Sequence, residues 1–174
     1  MTLYFILLLL STFKLYAQVP FDVRSYLNNK QVSKVAKEYY NGKFKASDEE
    51  KTFEIVDSLR TKNDLTRPFY IYLVSTMMAN ADGALSEELG NKCKEFVEQQ
   101  PDDAIGFLYS DNKEVDKRFK DNWAKAIAGE FMIECEGEEN NCINKSLQRT
   151  LKRSNSEIKI KAITFYNQIR SYCR

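Results

Sequence analysis

Residues 66–79 read TRPFYIYLVSTMMA, and the fold class turns on them. Phe69 to Val74 is a run of aromatic and β-branched residues of the kind that fills strands. The apolar pattern carries on through Met77, Met78 and Ala79, which makes it longer than a typical strand of about five or six residues. Thr66-Arg67-Pro68 supplies a helix start, because proline is tolerated in the first helical turn. The stretch is therefore expected to be a central helix, buried on most sides.

Its flanks read as helices too. On the N-terminal side, Val32, Val35, Ala36, Tyr39 and Tyr40 recur at i, i+3, i+4, i+7 and i+8, one face of an amphipathic helix. Asn41-Gly42 closes it, since glycine accepts the left-handed conformation after a helix. Ser47-Asp48-Glu49-Glu50 reads as a capping box, with Ser47 capping and Glu50 reaching back, ahead of Phe53, Ile55, Val56 and Leu59. On the C-terminal side, Ser86 is expected to cap a fourth helix, with Glu87 and Glu88 at its positive end. That helix carries Leu85, Leu89, Cys93, Phe96 and Val97 and stops at Gln99-Gln100-Pro101. Pro101-Asp102-Asp103 opens a short fifth helix. A long sixth is expected from about Lys113 to about Glu136, with Phe119, Trp123, Ile127 and Phe131 on its stripe and Gly137 ending it. A seventh is expected from about Asn141, and an eighth from about Ser156 to the end. No pair of alternating runs is joined by a Gly-rich hairpin turn. The expected fold is all-α: a compact, disulfide-tied bundle of about seven to eight helices. A solenoid of stacked helix pairs is the alternative, and no sequence period supports it.

The chain has 174 residues, 43% of them hydrophobic, enough for one domain with a real core. Leu3 to Leu10 is a continuous apolar run, too short to span a bilayer and of a length that suits a secretory signal. Residues 1–17 are expected to be that signal, with cleavage after Ala17, and residues 18–174 a single helical domain. A buried N-terminal helix is the alternative, and no Lys or Arg precedes the run. The expected address is periplasmic or secreted, with no membrane span after signal removal. Of 26 basic residues, Lys14 leaves with the signal, so 25 bases balance 25 acids. A neutral balance gives no overall pull toward nucleic acid.

The four cysteines, Cys93, Cys135, Cys142 and Cys173, all lie in the expected mature part. An even set in a secreted protein favours disulfides, and four cysteines allow three pairings. Cys135 closes the sixth helix and Cys142 opens the seventh, so a bridge there would staple a helix hairpin. Cys93 with Cys173 would then form the second bridge. Buried free thiols are one alternative. A metal site is another, weakened by the lack of a Cys-x2-Cys pair and of any histidine.

The absence of histidine removes Ser-His and Cys-His nucleophile pairs and His-ligated metals. No GxGxxG, P-loop or Gly-x-Ser-x-Gly motif occurs, and no cofactor is implied. Asn80, Asp82 and Ser86 match the middle of a calcium loop, but Met78 and Leu89 stand where its first ligand and its bidentate Glu belong. The Ala81-Asp82-Gly83-x-x-Ser86-x-Glu88 string resembles the inter-helix turn of TerB-like helical domains. The longer string from Ala81 to Leu108, ADGALSEELGNKCKEFVEQQPDDAIGFL, resembles small secreted all-helical proteins of unassigned function, which implies a fold and an address and no activity.

Charge is segregated near the C-terminus. Glu130, Glu134, Glu136, Glu138 and Glu139 form an acidic patch. Residues 145–174 carry eight basic residues against Glu157 alone, a net +7. A solvated helix face is the plain reading of such a run. Lys152, Arg153 and Lys159 are the candidate partner-binding residues within it. The leading expectation is a non-catalytic protein-binding module acting on another protein of the cell envelope. Small periplasmic helical proteins of this size resemble immunity proteins that neutralise toxins. A lysozyme-like cell-wall glycosidase using two carboxylates, with Glu134 or Asp82 conceivable as players, is an alternative. An envelope structural protein is another.

Overall fold

Every regular element in the computed structural model, which describes residues 21–173, is helical. The expected signal, residues 1–17, lies outside the described residues. The elements are α1 (Val23–Leu27), α2 (Lys34–Tyr40), α3 (Glu50–Asp57) running into a 3-10 turn (Ser58–Arg60), α4 (Arg67–Met78), α5 (Gly83–Gln99), α6 (Pro101–Leu108), α7 (Arg118–Glu134), α8 (Glu139–Arg153) and α9 (Ser156–Tyr172). The one beyond the expected number is α1, whose five residues are too few to show a periodic face. No helix among the described residues is long and apolar enough to cross a membrane.

The run that decides the fold is a helix. In α4, Phe69, Ile71, Leu73, Val74 and Met77 are buried almost completely. Burial on several sides outweighs the β preference of its residues, since propensity is a weak prior against packing. Ser75 sits in the same interior without cost. Its hydroxyl donates to the Ile71 carbonyl at 2.7 Å and accepts the Trp123 indole N–H at 2.9 Å. Trp123 belongs to α7, which packs on α4, α5 and α9 and forms the centre of the bundle. The α5–α7 seam is tight. A Cβ on Gly90 would stand 2.7 Å from the Ala126 carbonyl oxygen.

Three helix starts differ from expectation, each for a local reason. The capping box at Ser47 does not form: α3 starts at Glu50 behind Glu49, and the Ser47 N–H donates to Thr52 Oγ1 at 3.2 Å. Ser86 does not cap α5, which starts earlier, at Gly83 behind an extended Asp82; the Ser86 N–H bonds the Asp82 carbonyl at 2.7 Å within the first turn. The long helix begins at Arg118 rather than near Lys113. Asn112 Oδ1 takes the Glu114 N–H and Asp116 Oδ1 takes the Arg118 N–H, so side chains hold this segment in turns. Gly42 and Gly137 both adopt positive φ, 70° and 78°, at the ends where they were expected to stop helices.

Cys135 and Cys142 are joined, with their Cα atoms 6.5 Å apart, and staple α7 to α8. The expected second bridge is corrected: Cys93 and Cys173 are free thiols. Cys93 is buried in α5, while Cys173 Sγ–H points to the Ala128 carbonyl of α7 at 3.6 Å. Both cysteines border apolar surface, but α5 and α9 each pack against α7 rather than against one another.

Candidate functional site

The core uses most of α4 and leaves one stripe open. Tyr72, Thr76 and Asn80 follow one another at i, i+4 and i+8, which places them in one row along the helix and just past its end. All three line a groove. The end of α2 supplies Tyr39 and Tyr40, each half-buried. Gly42, in its left-handed conformation, then reverses the chain and brings Phe44 back onto Tyr39, with ring centres 5.6 Å apart. Phe119, in the first turn of α7, stands edge-on to Tyr72 at 5.9 Å. The Tyr40 and Tyr72 rings are 6.4 Å apart. Between these residues lie two open cavities of about 580 and 510 Å³ that share Tyr72, Thr76 and Asn80.

The polar groups in the groove suit binding. Tyr39 Oη and Thr76 Oγ1 share a hydrogen bond of 3.4 Å. Burial raises the Tyr39 hydroxyl above its ordinary value, against the lowering effect of that bond. Burial raises Tyr72 as well, helped by Tyr40, Glu114 and Tyr39 nearby. Thr76 Oγ1 donates its own hydrogen to the Leu73 carbonyl at 2.7 Å, so Tyr39 donates to Thr76, and the Tyr72 hydroxyl keeps its hydrogen to donate. Glu114 is engaged, accepting the Val23 N–H at 2.7 Å. The Asp116 carboxyl is pushed down to about 2 by its hydrogen bonds from Arg118. Exposed Lys45 and Lys113 line the two cavities, one each. The result is a floor of aromatic rings with hydroxyl donors, one side-chain amide and ammonium groups at its edges. Rings of this kind give large contact area at low entropic cost and are enriched at protein interfaces.

The basic residues singled out from sequence lie elsewhere. Lys152 and Arg153 end α8, Lys159 sits in the first turns of α9, and none of them lines the groove. Arg153 reaches the carbonyls of Glu98 at 3.5 Å and Arg149 at 3.4 Å. Several of their basic neighbours are committed internally. Arg149 holds both Glu98 oxygens, at 2.6 and 2.7 Å, and Lys161 holds Glu157 at 2.6 Å. Arg170 donates to Asn144 and Asn167, both at 2.7 Å. Lys152 and Lys159 remain exposed. In the acidic patch, Glu134 contacts Lys94, and Asp82 is exposed at the N-cap of α5.

The sequence reading assigned Tyr39 and Tyr40 to a core face and missed the groove. The available signal was the row Tyr72-Thr76-Asn80, in which polar tips recur at a spacing of four along a largely apolar helix and just past its end. Comparison with protein-family models, with curated proteins and with solved structures finds no match to this chain.

Proposed function

We propose that the chain is a non-catalytic protein-binding module of the periplasm or extracellular space, of the immunity-type inhibitor kind, and that it holds its partner in the tyrosine groove. The observation that carries this reading is the convergence of half-buried Tyr39, Tyr40 and Tyr72 on one open, concave surface. Tyrosines in well-packed pockets are enriched among the few residues that dominate binding energy at protein interfaces, each such residue costing about 2 kcal/mol or more when truncated. The leader-like run ahead of Ala17 and the Cys135–Cys142 bridge support the compartment. Exposed Lys152 and Lys159 act in encounter, where charge steers association more than it sets affinity.

The test is capture from the native envelope fraction by tagged, oxidised chain 18–174. One stoichiometric protein is expected, retained at moderate salt and lost with Tyr40→Ala plus Asn80→Trp, which strips one wall and fills the floor. The triple variant Lys152→Ala, Arg153→Ala, Lys159→Ala is expected to slow association at low salt and leave the complex intact. Circular dichroism establishes that each variant is folded. Capture indifferent to the groove variant, or recovery of cell-wall glycan alone, refutes the reading.

A further inference from the structure

The two cavities of the tyrosine groove adjoin across α4, and Tyr72, Thr76 and Asn80 line both. Each is walled by rings inclined to one another. In the larger, Tyr40 meets Tyr72 at 50° and Tyr39 meets Phe44 at 54°. In the smaller, Tyr72 meets Phe119 at 79°. None of these pairs is stacked, so the walls make two angled notches rather than a flat platform. Tyr72 belongs to both notches, which places them on either side of one ring.

Most of the polar groups still open in the groove are donors. Thr76 Oγ1 is taken up by Tyr39 and the Leu73 carbonyl. Asp116 is taken up by Arg118, and Glu114 Oε2 by the Val23 N–H. The Tyr72 hydroxyl and the Lys45 and Lys113 ammoniums are left with hydrogens to donate. A peptide main chain crossing these walls offers carbonyls to them. Any N–H it buries against a ring has no acceptor there, which is strongly disfavoured. Proline has no N–H. A run of prolines also holds the extended polyproline II form before it binds, so little ordering remains to be done. Its compact apolar rings suit angled notches, and aromatic-lined grooves are a recurring receptor for such segments.

The charge in the groove is lopsided. In the smaller cavity Lys113 and Arg118 balance Glu114 and Asp116. In the larger, Lys45 is the one charged residue among the described residues lining it. Lys51 stands 5.8 Å from the centre of the Phe44 ring, and Lys43 shares Glu38 with Lys34, at 3.9 and 3.8 Å. The Lys45 end is therefore positive and complements an acidic side chain.

On the reading that this groove is the partner site, we propose that its occupant is a proline-rich segment in the polyproline II form, with prolines in the two notches and an acidic residue at the Lys45 end. The segment crosses α4 at the Tyr72-Thr76-Asn80 row, from the α2 side to the start of α7.

The experiment titrates the nitrogen-15-labelled, oxidised chain 18–174 with four probes, followed by NMR. The first is an end-blocked peptide of two aspartates and six prolines. In the second, alanines replace the prolines, and in the third, lysines replace the aspartates. The fourth is chitotriose. The first is expected to shift amides saturably over residues 39–46 and 72–80 and at Phe119, and to bind at least tenfold more tightly than the alanine peptide. The lysine peptide is expected to be about tenfold weaker at low salt, a difference that shrinks in high salt and that Lys45→Glu erases. Tyr72→Phe keeps the rings and removes one hydroxyl, and is expected to weaken the first peptide about threefold to tenfold. An alanine peptide bound as tightly, a preference for the lysine peptide, or shifts from chitotriose in place of the proline peptide overturns the proposal. So does the absence of shifts at millimolar proline peptide, and these comparisons stand alone if a variant does not fold. Capture from the envelope fraction separates the two readings. If it stays sensitive to Tyr40→Ala plus Asn80→Trp while the proline peptide fails, the groove stands as the partner site and the proline-rich occupant falls. If it is indifferent to that variant as well, both fall.

Discussion

Gly90→Ala and Gly129→Ala are the same change on two facing helices, and the structure assigns them opposite signs. Either alanine removes the conformational freedom of a mid-helix glycine and gains about 1 kcal/mol. At Gly129 the new methyl meets nothing within 4 Å, so the gain is kept. At Gly90 the methyl would stand 2.7 Å from the Ala126 carbonyl oxygen and 3.3 Å from its carbon. Those are backbone atoms and cannot rotate away, so α5 and α7 must part by roughly half an ångström or more. A gap of about 0.5–1 Å forfeits a quarter to a half of each dispersion contact, itself worth about 0.1–0.2 kcal/mol. With some 40 such contacts along the seam, on the order of one buried leucine's worth, the loss is roughly 1.5–3 kcal/mol. Subtracting the propensity gain leaves Gly90→Ala destabilised by about 0.5–2 kcal/mol, toward the lower end of the usual range for overpacking. For a domain of this size each kcal/mol moves Tm by about 2–4 °C. Thermal unfolding followed by far-UV circular dichroism at one pH should therefore place Gly90→Ala roughly 1–8 °C below wild type and Gly129→Ala roughly 2–4 °C above it. A Gly90→Ala protein as stable as wild type would mean that the two backbones do not meet at Ala126, and the seam would have to be redrawn.

Ser75→Ala leaves the buried Trp123 N–H without an acceptor, at about 1–3 kcal/mol; a Tm lower by roughly 2–12 °C is expected in thermal unfolding. Mass spectrometry after alkylation without reduction should find two modified cysteines, Cys173 before unfolding and Cys93 only with it, because Cys93 is buried and its thiol is raised well above normal by desolvation. Replacing Cys135 and Cys142 by serine opens a bridge with a sequence separation of 7, for which chain entropy predicts a loss of about 2.5 kcal/mol in urea unfolding. Arg67, 8% exposed, holds the Thr61 carbonyl and Asp103. Arg67→Met should cost about 2–3 kcal/mol, discounted because Asp103 is partly in solvent, and should push the Asp103 carboxyl, already raised by burial, further up in an NMR titration.

The helical class was legible because length and cap chemistry are local properties. The run from Phe69 to Met78 exceeds a strand, and Gly42 and Gly137 mark helix ends whatever lies around them. Starts were harder to place. Ser47 and Ser86 have the composition of caps, but a side chain caps only from a residue whose own backbone is extended at the helix start, and at α5 that residue is Asp82. The bridge from Cys135 to Cys142 follows from neighbouring helix ends, whereas Cys93 with Cys173 depended on which helices face each other. An apolar stripe reveals that a helix has a buried side and leaves its neighbour unnamed, and α7 occupies the place that bridge would need. The groove was hidden by treating tyrosine as core. A tyrosine at a helical periodicity reports only that its ring is sheltered, and its hydroxyl can still open to solvent.

The position of α4 sets how the molecule comes apart. The segment from α1 to the 3-10 turn packs mainly on α4, while α5 to α9 pack extensively on one another. An architecture of this kind opens in cooperative pieces, with the sparsely packed piece opening at lower free energy than the rest. Residues 21–60 are then a peripheral foldon, and the groove, with Tyr39 and Tyr40 on one bank and Tyr72 and Phe119 on the other, runs along its boundary. Whatever occupies the groove grips both pieces at once. Occupancy would suppress detachment of the N-terminal layer and leave the global unfolding of α5 to α9 less affected.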